Sequence, residues 1–489
     1  MPSSLREYFS FSGKTRILHL TWFALFLSFF VWFNHAPLLV SLRDTFGLSD
    51  QQIKTLLILN VALTIPARII VGMLVDAIGP RRMFSSLLLL SSVLCFGFAL
   101  ADSFEQLALM RFLLGFSGAG FVIGIRLISE WFPARQLGTA EGIYGGWGNF
   151  GSAGAAILLP TVALAFGGDD GWRYATALTG VLALIYSAIF FFSVSDTPKG
   201  STYFKPKKSG AMEVTSKSDF FLYLLMNIPM YAALAVLAWK VGPDNTSLLS
   251  QELVTISYLA LIALYIFQTV RVYQINKHVF TSEIPDFEKY QFKQVAVLNV
   301  AYMVTFGSEL AMISMLPLFF RDVFGLPIVS AGLLGAIFGA MVVIARPAGG
   351  WLSDRFGRRL SLSVILAGFV IGYLVMGKIT PEWPVSLAVL ATMLCGLFVH
   401  FGTGAVFAVV PLVKRRLTGQ VAGMTGAYGN VGGVVFLTVL SFVSTSTFFY
   451  VIAGVGAAAW LVVLLFLDEP QGHMAEILPD GTVQMIEVS

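Results

Sequence analysis

Charge is what this sequence has least of. Lys and Arg number 31 and Asp and Glu 27 in 489 residues, 12% together, where a typical soluble domain is about a quarter charged. A water-facing globule of this size needs roughly twice as many, so a soluble enzyme and a disordered chain are excluded. The formal net charge of +4 is too small for a nucleic-acid binder. Cysteine is nearly absent too. Cys95 and Cys395 each lie inside an apolar run and read as buried small side chains, which leaves no disulfide or metal framework. No nucleotide-phosphate loop, catalytic triad or metal cluster is present in the sequence, so neither an enzyme nor a cofactor is expected. What fills the chain is apolar: 57% of residues are hydrophobic, Phe alone occurs 43 times, and mean hydropathy is +0.81. The protein is read as integral to a lipid bilayer.

A helix needs about 20 apolar residues to cross roughly 30 Å of hydrocarbon. Runs of that order lie near 16–42, 54–76, 82–101, 104–132, 137–166 and 172–194, then 219–239 and 252–270. Six more lie near 292–320, 328–352, 360–378, 384–411, 418–445 and 447–467, which makes fourteen. The first run is too long, and lacks a small-residue cleavage site, to be a removable signal peptide, so it is expected to remain as an anchor. Cations gather in alternate loops: Arg6, Lys14 and Arg16; Arg81 and Arg82; Lys199, Lys205, Lys207, Lys208 and Lys217; Arg355, Arg358 and Arg359; Lys414, Arg415 and Arg416. By the positive-inside rule both termini face the cytoplasm, and the chain is placed in the cell membrane. The acidic tail after Asp468 is read as soluble.

The chain repeats itself. Arg43-Asp-Thr-Phe-Gly-Leu48 returns as Arg321-Asp-Val-Phe-Gly-Leu326, at an offset of 278. At the same offset Ala67, Arg68, Gly72, Leu74, Asp76, Gly79 and Arg81 match Ala345, Arg346, Gly350, Leu352, Asp354, Gly357 and Arg359. The expected organisation is a six-helix half over 1–194, a linker with two extra spans over 195–291, a second six-helix half over 292–467 and a cytoplasmic tail over 468–489. An inserted pair of spans keeps equivalent loops on one side. Two six-helix halves related by a parallel repeat are a transporter architecture, with the site where the halves meet. The extra pair is expected on the outside of the bundle, away from the substrate.

Gly72-Met-Leu-Val-Asp76-Ala-Ile-Gly79-Pro-Arg81-Arg82 and Gly350-Trp-Leu-Ser-Asp354-Arg-Phe-Gly357-Arg358-Arg359 resemble the loop signature of the major facilitator superfamily. Arg111-Phe-Leu-Leu-Gly115 resembles a second signature of that superfamily. The resemblance implies an all-α polytopic fold and a gating role for Asp76, Arg82, Asp354 and Arg358. A narrower likeness joins Gly138-Thr-Ala-Glu-Gly142-Ile-Tyr-Gly145-Gly-Trp-Gly148-Asn149-Phe-Gly151 to Gly419-Gln-Val-Ala-Gly423-Met-Thr-Gly426-Ala-Tyr-Gly429-Asn430-Val-Gly432. Glycines at this spacing form a ridge on which another helix backbone packs closely, and Gly145, Gly148, Gly151, Gly426, Gly429 and Gly432 are expected to do so. The doubled pattern, each copy ending in Gly-Asn-x-Gly, resembles the paired signature of the nitrate/nitrite porter family. The inserted pair falls outside that resemblance.

Arg68 and Arg346 stand out on physical grounds alone. Each lies eight residues before its loop Asp, about 12 Å along a helix, and so close to the bilayer midplane. An arginine there is costly unless it faces a polar cavity or a partner. Two such guanidiniums, doubled by the repeat, suit an oxyanion; the alternative is that each is tied to a carboxylate, Glu309 or Glu130. The family resemblance implies that Arg68 and Arg346 bind the anion, that Asn149 and Asn430 add amide donors, and that Phe121, Tyr302 and Phe306 wall the site. Glu309 is an acid expected within a span and is the candidate for carrying a coupling proton. Arg126 and Glu130, four apart, are expected to pair. His35 and His400 read as packing residues.

The expected function is alternating-access transport of nitrate, with nitrite a further substrate, driven by proton symport and carried by a monomer. A nitrate/nitrite exchanger is the first alternative. A facilitator for another oxyanion such as phosphate is the second, and a sensor that keeps the fold is the third.

Overall fold

The computed structural model describes residues 5–477 and 483–487, apart from 169, 207, 209, 246, 248, 282–283 and 286–287. Lys207 of the cationic linker therefore lies outside the described residues. Among them, fourteen helical segments are long and apolar enough to cross a membrane. They are α1 (Gly13–Leu38), α2 (Leu59–Ile78), α3 (Pro80–Ala99), α4 (Phe104–Trp131), α5 (Ala134–Phe166), α6 (Gly171–Ser193), α7 (Lys217–Lys240), α8 (Gln251–Asn276), α9 (Phe292–Leu316), α10 (Leu333–Phe356), α11 (Arg358–Met376), α12 (Val385–Val413), α13 (Arg415–Leu440) and α14 (Thr445–Phe466). Helices satisfy their own backbone in lipid, which is why a chain this apolar adopts them. Leu164, Phe192 and Ile344 are more than three-quarters exposed, as side chains facing acyl chains would be.

The sequence repeat is also a conformational repeat. Gly47 and Gly325 end the two Arg-Asp-x-Phe-Gly copies in the left-handed region, at φ 61° and 64°, and each donates its N–H to the preceding arginine's carbonyl. Gly79 and Gly357 take φ 93° and 94° with ψ 149° and 148°, a region that side chains rarely adopt. An acid closes each of these turns. Asp196 accepts from Arg81 N at 2.7 Å, and Glu469 accepts from Arg358 N and Arg359 N, both at 2.7 Å.

The chain forms two compact units. The first comprises Met1–Trp131, Trp147–Ile284 and Arg416–Ala427, and the second comprises Phe132–Gly146, Pro285–Arg415 and Tyr428–Ser489. Compared with a cut by sequence halves, the early parts of α5 and α13 change places, and the glycine ridges explain this. In the second unit a Cβ at Gly142 would lie 2.6 Å from Pro347 Cα, so α5 meets α10 backbone to backbone. In the first unit a Cβ at Gly423 would lie 2.5 Å from the Arg68 carbonyl, so α13 meets α2 in the same way.

Each unit has its own apolar core. Phe30, Phe98 and Trp172 anchor the first, and Phe320, Tyr373, Phe448 and Phe449 the second. In the first unit α8 packs on α7 and buries only Val254, Val272, Ile275 and Asn276 among its described residues. The tail after Asp468 is a two-stranded antiparallel hairpin, β1 (His473–Ile477) and β2 (Val483–Glu487). Lys414 Nζ donates to the Ala475 carbonyl at 2.9 Å, and Arg135 pairs with Glu487.

Candidate functional site

In the first unit Arg68 is 1% exposed. Its Nε donates to the Gly118 carbonyl at 3.2 Å and its Nη1 to the Gly426 carbonyl at 2.6 Å. Gly118 belongs to a 3-10 turn, Gly115–Ala119, that interrupts α4, and such breaks free carbonyls for a side chain to use. The guanidinium also lies 5.8 Å from the centroid of Phe121. A Cβ at Gly426 would come within 3.1 Å of Arg68 Cδ, so the Gly-Asn-x-Gly helix makes the room that the arginine occupies. Asn149, near the middle of α5 just before its break at Phe150, is buried in this unit.

The second unit repeats the plan with different holders. Arg346 is 1% exposed, and its Nη2 donates to the Tyr302 hydroxyl at 3.0 Å. Tyr302 stacks on Phe306, with centroids 5.1 Å apart and planes 4° apart, and meets Phe407 edge-on at 4.7 Å. A Cβ at Gly145 would lie 2.7 Å from Arg346 Nε. Gly429 gives the Tyr302 and Phe306 rings the same kind of room, and Gly432 lets α13 touch the Met303 carbonyl. Asn430 is buried beside them in sequence on α13. The remaining glycines of the expected set, Gly148 and Gly151, press on Leu25 and the Phe26 carbonyl of α1 in the first unit.

The loop acids are fully engaged. In the first unit Asp76 accepts from Gly419 N and Gln420 N, both at 2.9 Å, and lies 3.0 Å from Arg126. Arg126 also pairs with Glu130, as their four-residue spacing suggests. In the second unit Asp354 accepts from Gly138 N at 2.9 Å and Thr139 N at 2.6 Å and is bound by Arg358, whose Nη2 donates to the Ala134 carbonyl. Arg82 is exposed, and its side chain makes no hydrogen bond or ion pair among the described residues. The structure thus brings Asp76, Asp354 and Arg358 into buried contacts and leaves Arg82 outside them. Arg126, fifty residues from Asp76 in sequence, takes the place at the first acid.

Three features escaped the sequence reading. The linker docks on Arg126: its Nε donates to the Tyr203 hydroxyl at 3.2 Å, its Nη2 to the Phe204 carbonyl at 2.7 Å, and the Tyr203 hydroxyl donates to the Val75 carbonyl at 2.7 Å. Burial pushes the Tyr203 phenol well above its ordinary range, against the pull of Arg126. Glu213 of the same linker reaches Arg416 at 3.2 Å. In the second unit Glu141 is buried with neither carboxylate oxygen hydrogen-bonded among the described residues. There too, His400 Nδ1 stands 3.4 Å from Glu309 Oε2. The two acids weighed as alternative partners for the arginines, Glu130 and Glu309, thus meet Arg126 and His400.

The profile of the Major Facilitator Superfamily matches residues 21–437 and again 298–482. The "Nitrate/nitrite transporter NrtP" of Picosynechococcus sp. is 45% identical, over 98% of this chain and 98% of its own length. The chain belongs to the nitrate/nitrite porter family of the major facilitator superfamily. A second porter of the same name, from Nostoc punctiforme, is 43% identical over 96% of both chains. The "Probable nitrate/nitrite antiporter NarK1" of Thermus thermophilus is 29% identical over 86% of this chain and 83% of its own. Among solved structures, a human organic anion transporter, MFSD10, superposes with TM-score 0.62 at 12% identity, over 92% of this chain and all of that one. The proton:xylose symporter XylE superposes with TM-score 0.58 at 16% identity, over 93% of this chain and 96% of its own. These two establish the porter's fold alone.

Proposed function

We propose that this porter carries nitrate, with nitrite as a second substrate, across the cytoplasmic membrane by alternating access, and that a proton moving with the anion drives uptake. The observation that carries the reading is the pair of buried arginines. Arg68 and Arg346 occupy equivalent places of the repeat, and each is seated against a glycine of a Gly-Asn-x-Gly helix. A buried guanidinium offers a planar fork of donors and a charge that a small oxyanion neutralises. Arg68 and Arg346 are the cationic ligands, Asn149 and Asn430 the amide donors, and Phe121, Tyr302 and Phe306 the rings that keep water away. The names of the relatives in Picosynechococcus and Nostoc support nitrate and nitrite as the anions. Asp76, Asp354 and Arg358 serve the cytoplasmic gate, both termini lie on that side, and one chain is the working unit.

Proton coupling is supported by Glu309, a buried acid on α9 seven residues beyond Tyr302, the residue that orients Arg346. Exchange is the second reading, favoured by the antiporter name of the Thermus relative. Uptake of labelled nitrate into proteoliposomes decides between them, with an imposed pH gradient or internal nitrite as the sole drive. Uptake driven by the gradient alone is the expected result; dependence on internal nitrite makes the protein an exchanger. Competition by phosphate with no uptake of nitrate overturns the substrate assignment.

A further inference from the structure

We infer that Glu309 and His400 form a single proton-binding site that holds one proton between them, with His400 as the partner through which the α9 carboxylate takes up and gives back the coupling proton. The inference rests on the proton-coupled reading above and names the residue that reading lacks.

Proton accounting carries it. His400 Nε2 lies 2.9 Å from the Phe338 carbonyl oxygen. A carbonyl only accepts, so Nε2 bears a hydrogen and donates it. The other ring nitrogen, Nδ1, faces Glu309 Oε2 at 3.4 Å. Neither atom has a hydrogen-bond partner among the described residues, and the two side chains are 0% and 6% exposed. An ionised carboxylate opposite an unprotonated Nδ1 places two acceptors face to face in a dry interior. One proton removes the conflict, as a carboxylic acid facing a neutral imidazole or as a carboxylate facing an imidazolium. Both forms hold the same number of protons and are neutral as a pair. Losing the proton breaks one O–H or N–H bond, passes the proton to water, and leaves a buried net charge of −1, which is costly without a new partner. A proton is also the one ligand that needs no cavity.

The surroundings bring Tyr373 to the pair as a titratable neighbour. Of the helices packed on α9, α10 brings Arg346 to Tyr302, and α14 carries no ionisable residue except Tyr450. The later part of α13 carries only Tyr428, and α11 contributes Tyr373, which acts on Glu309 electrostatically. Both members of the pair are joined to Arg346. Tyr302 and Glu309 lie two turns apart on one face of α9, about 10 Å along the axis. On α12, Gly404 follows His400 by one turn, and a Cβ there would lie 2.2 Å from the Arg346 carbonyl. A displacement of either helix on proton loss therefore reaches the arginine.

The test uses the full chain in proteoliposomes, with E309Q, H400Q and the double variant, and H400N in reserve where H400Q fails to fold. For the wild type, gradient-driven nitrate uptake is compared with nitrate–nitrate counterflow. Each single variant is expected to lower that ratio at least tenfold, and the double variant no further, because the two residues act as one site. If E309Q lowers the ratio and neither histidine variant does, the shared site is overturned. A second readout is independent of coupling: the pH-difference infrared signal that E309Q abolishes is expected to shift in H400Q. Should wild-type uptake ignore the gradient while this shift is present, the proton-coupled reading falls and the shared-proton site stands. Absence of the shift overturns the site whatever the transport result.

Discussion

Arg346 Nη2 lies 3.0 Å from the Tyr302 hydroxyl, and Tyr302 is itself stacked on Phe306. The direction of a buried guanidinium is thereby set by a ring pair on another helix. Removing the hydroxyl takes this hydrogen bond from the arginine without removing its charge. Y302F is expected to raise the KM for nitrate roughly tenfold to thirtyfold with a smaller change in maximal rate, as the loss of one charge-assisted hydrogen bond implies. R346K keeps the charge but loses the fork and is expected to abolish measurable uptake. Initial rates of labelled nitrate uptake against concentration check both.

Gly145 and Gly426 make room for the two arginines unequally. A methyl at Gly145 would press on Arg346 Nε at 2.7 Å, and one at Gly426 on Arg68 Cδ at 3.1 Å. G145A is therefore expected to impair nitrate uptake more than G426A, while both proteins still reach the membrane. Equal effects at the two positions would show that the guanidinium placement is not what the glycines protect.

At the first loop acid, Arg126 and Arg82 differ sharply. Arg126 is fully buried against Asp76 and Glu130, so R126A strands a buried carboxylate, at a cost of about 3–5 kcal/mol. A large fall in melting temperature in detergent and little mature protein are expected. R82A, at an exposed residue outside these contacts, is expected to change the melting temperature by no more than a degree or two and to leave most uptake intact.

The half-buried Tyr203 phenol has a direction in pH. Its raised value means that the folded protein keeps the proton where the unfolded chain, near pH 10, begins to release it. Its contribution is complete below that point and declines as pH rises through it. The melting temperature of Y203F should therefore lie below wild type at pH 8, and the gap should narrow above about pH 10. A constant gap across that range would show that the hydroxyl contributes no proton linkage.

Much of this was legible in the sequence because it is local. Apolar length marks the spans, and identity at a fixed offset marks the repeat. Arg68 and Arg346 declare themselves by being arginines where none is cheap. What could not be read is which distant side chains meet. Arg126 and Asp76 are fifty residues apart, and nothing on either helix announces the other. His400 alone in an apolar run reads as a packing residue, and only its approach to Glu309 makes a proton count necessary. Tyr203 and Glu213 sit in a polar linker whose composition suggests solvent, yet Tyr203 is half-buried against Arg126 of α4 and Glu213 lies against Arg416. The glycine ridges were read as packing surfaces. That two of their members seat the arginines depends on helix register, which no pattern of residues supplies.

Asp196 and Glu469 each close the turn that opens the third helix of their own half, one just after α6 and the other just after α14. Asp196 therefore ties the chain leaving α6 to the turn between α2 and α3, and Glu469 ties the chain leaving α14 to the turn between α10 and α11. The linker with α7 and α8 follows the first of these joints, and the hairpin follows the second. The two segments are then positional counterparts, each held at its start by a carboxylate that caps the same turn of the repeat.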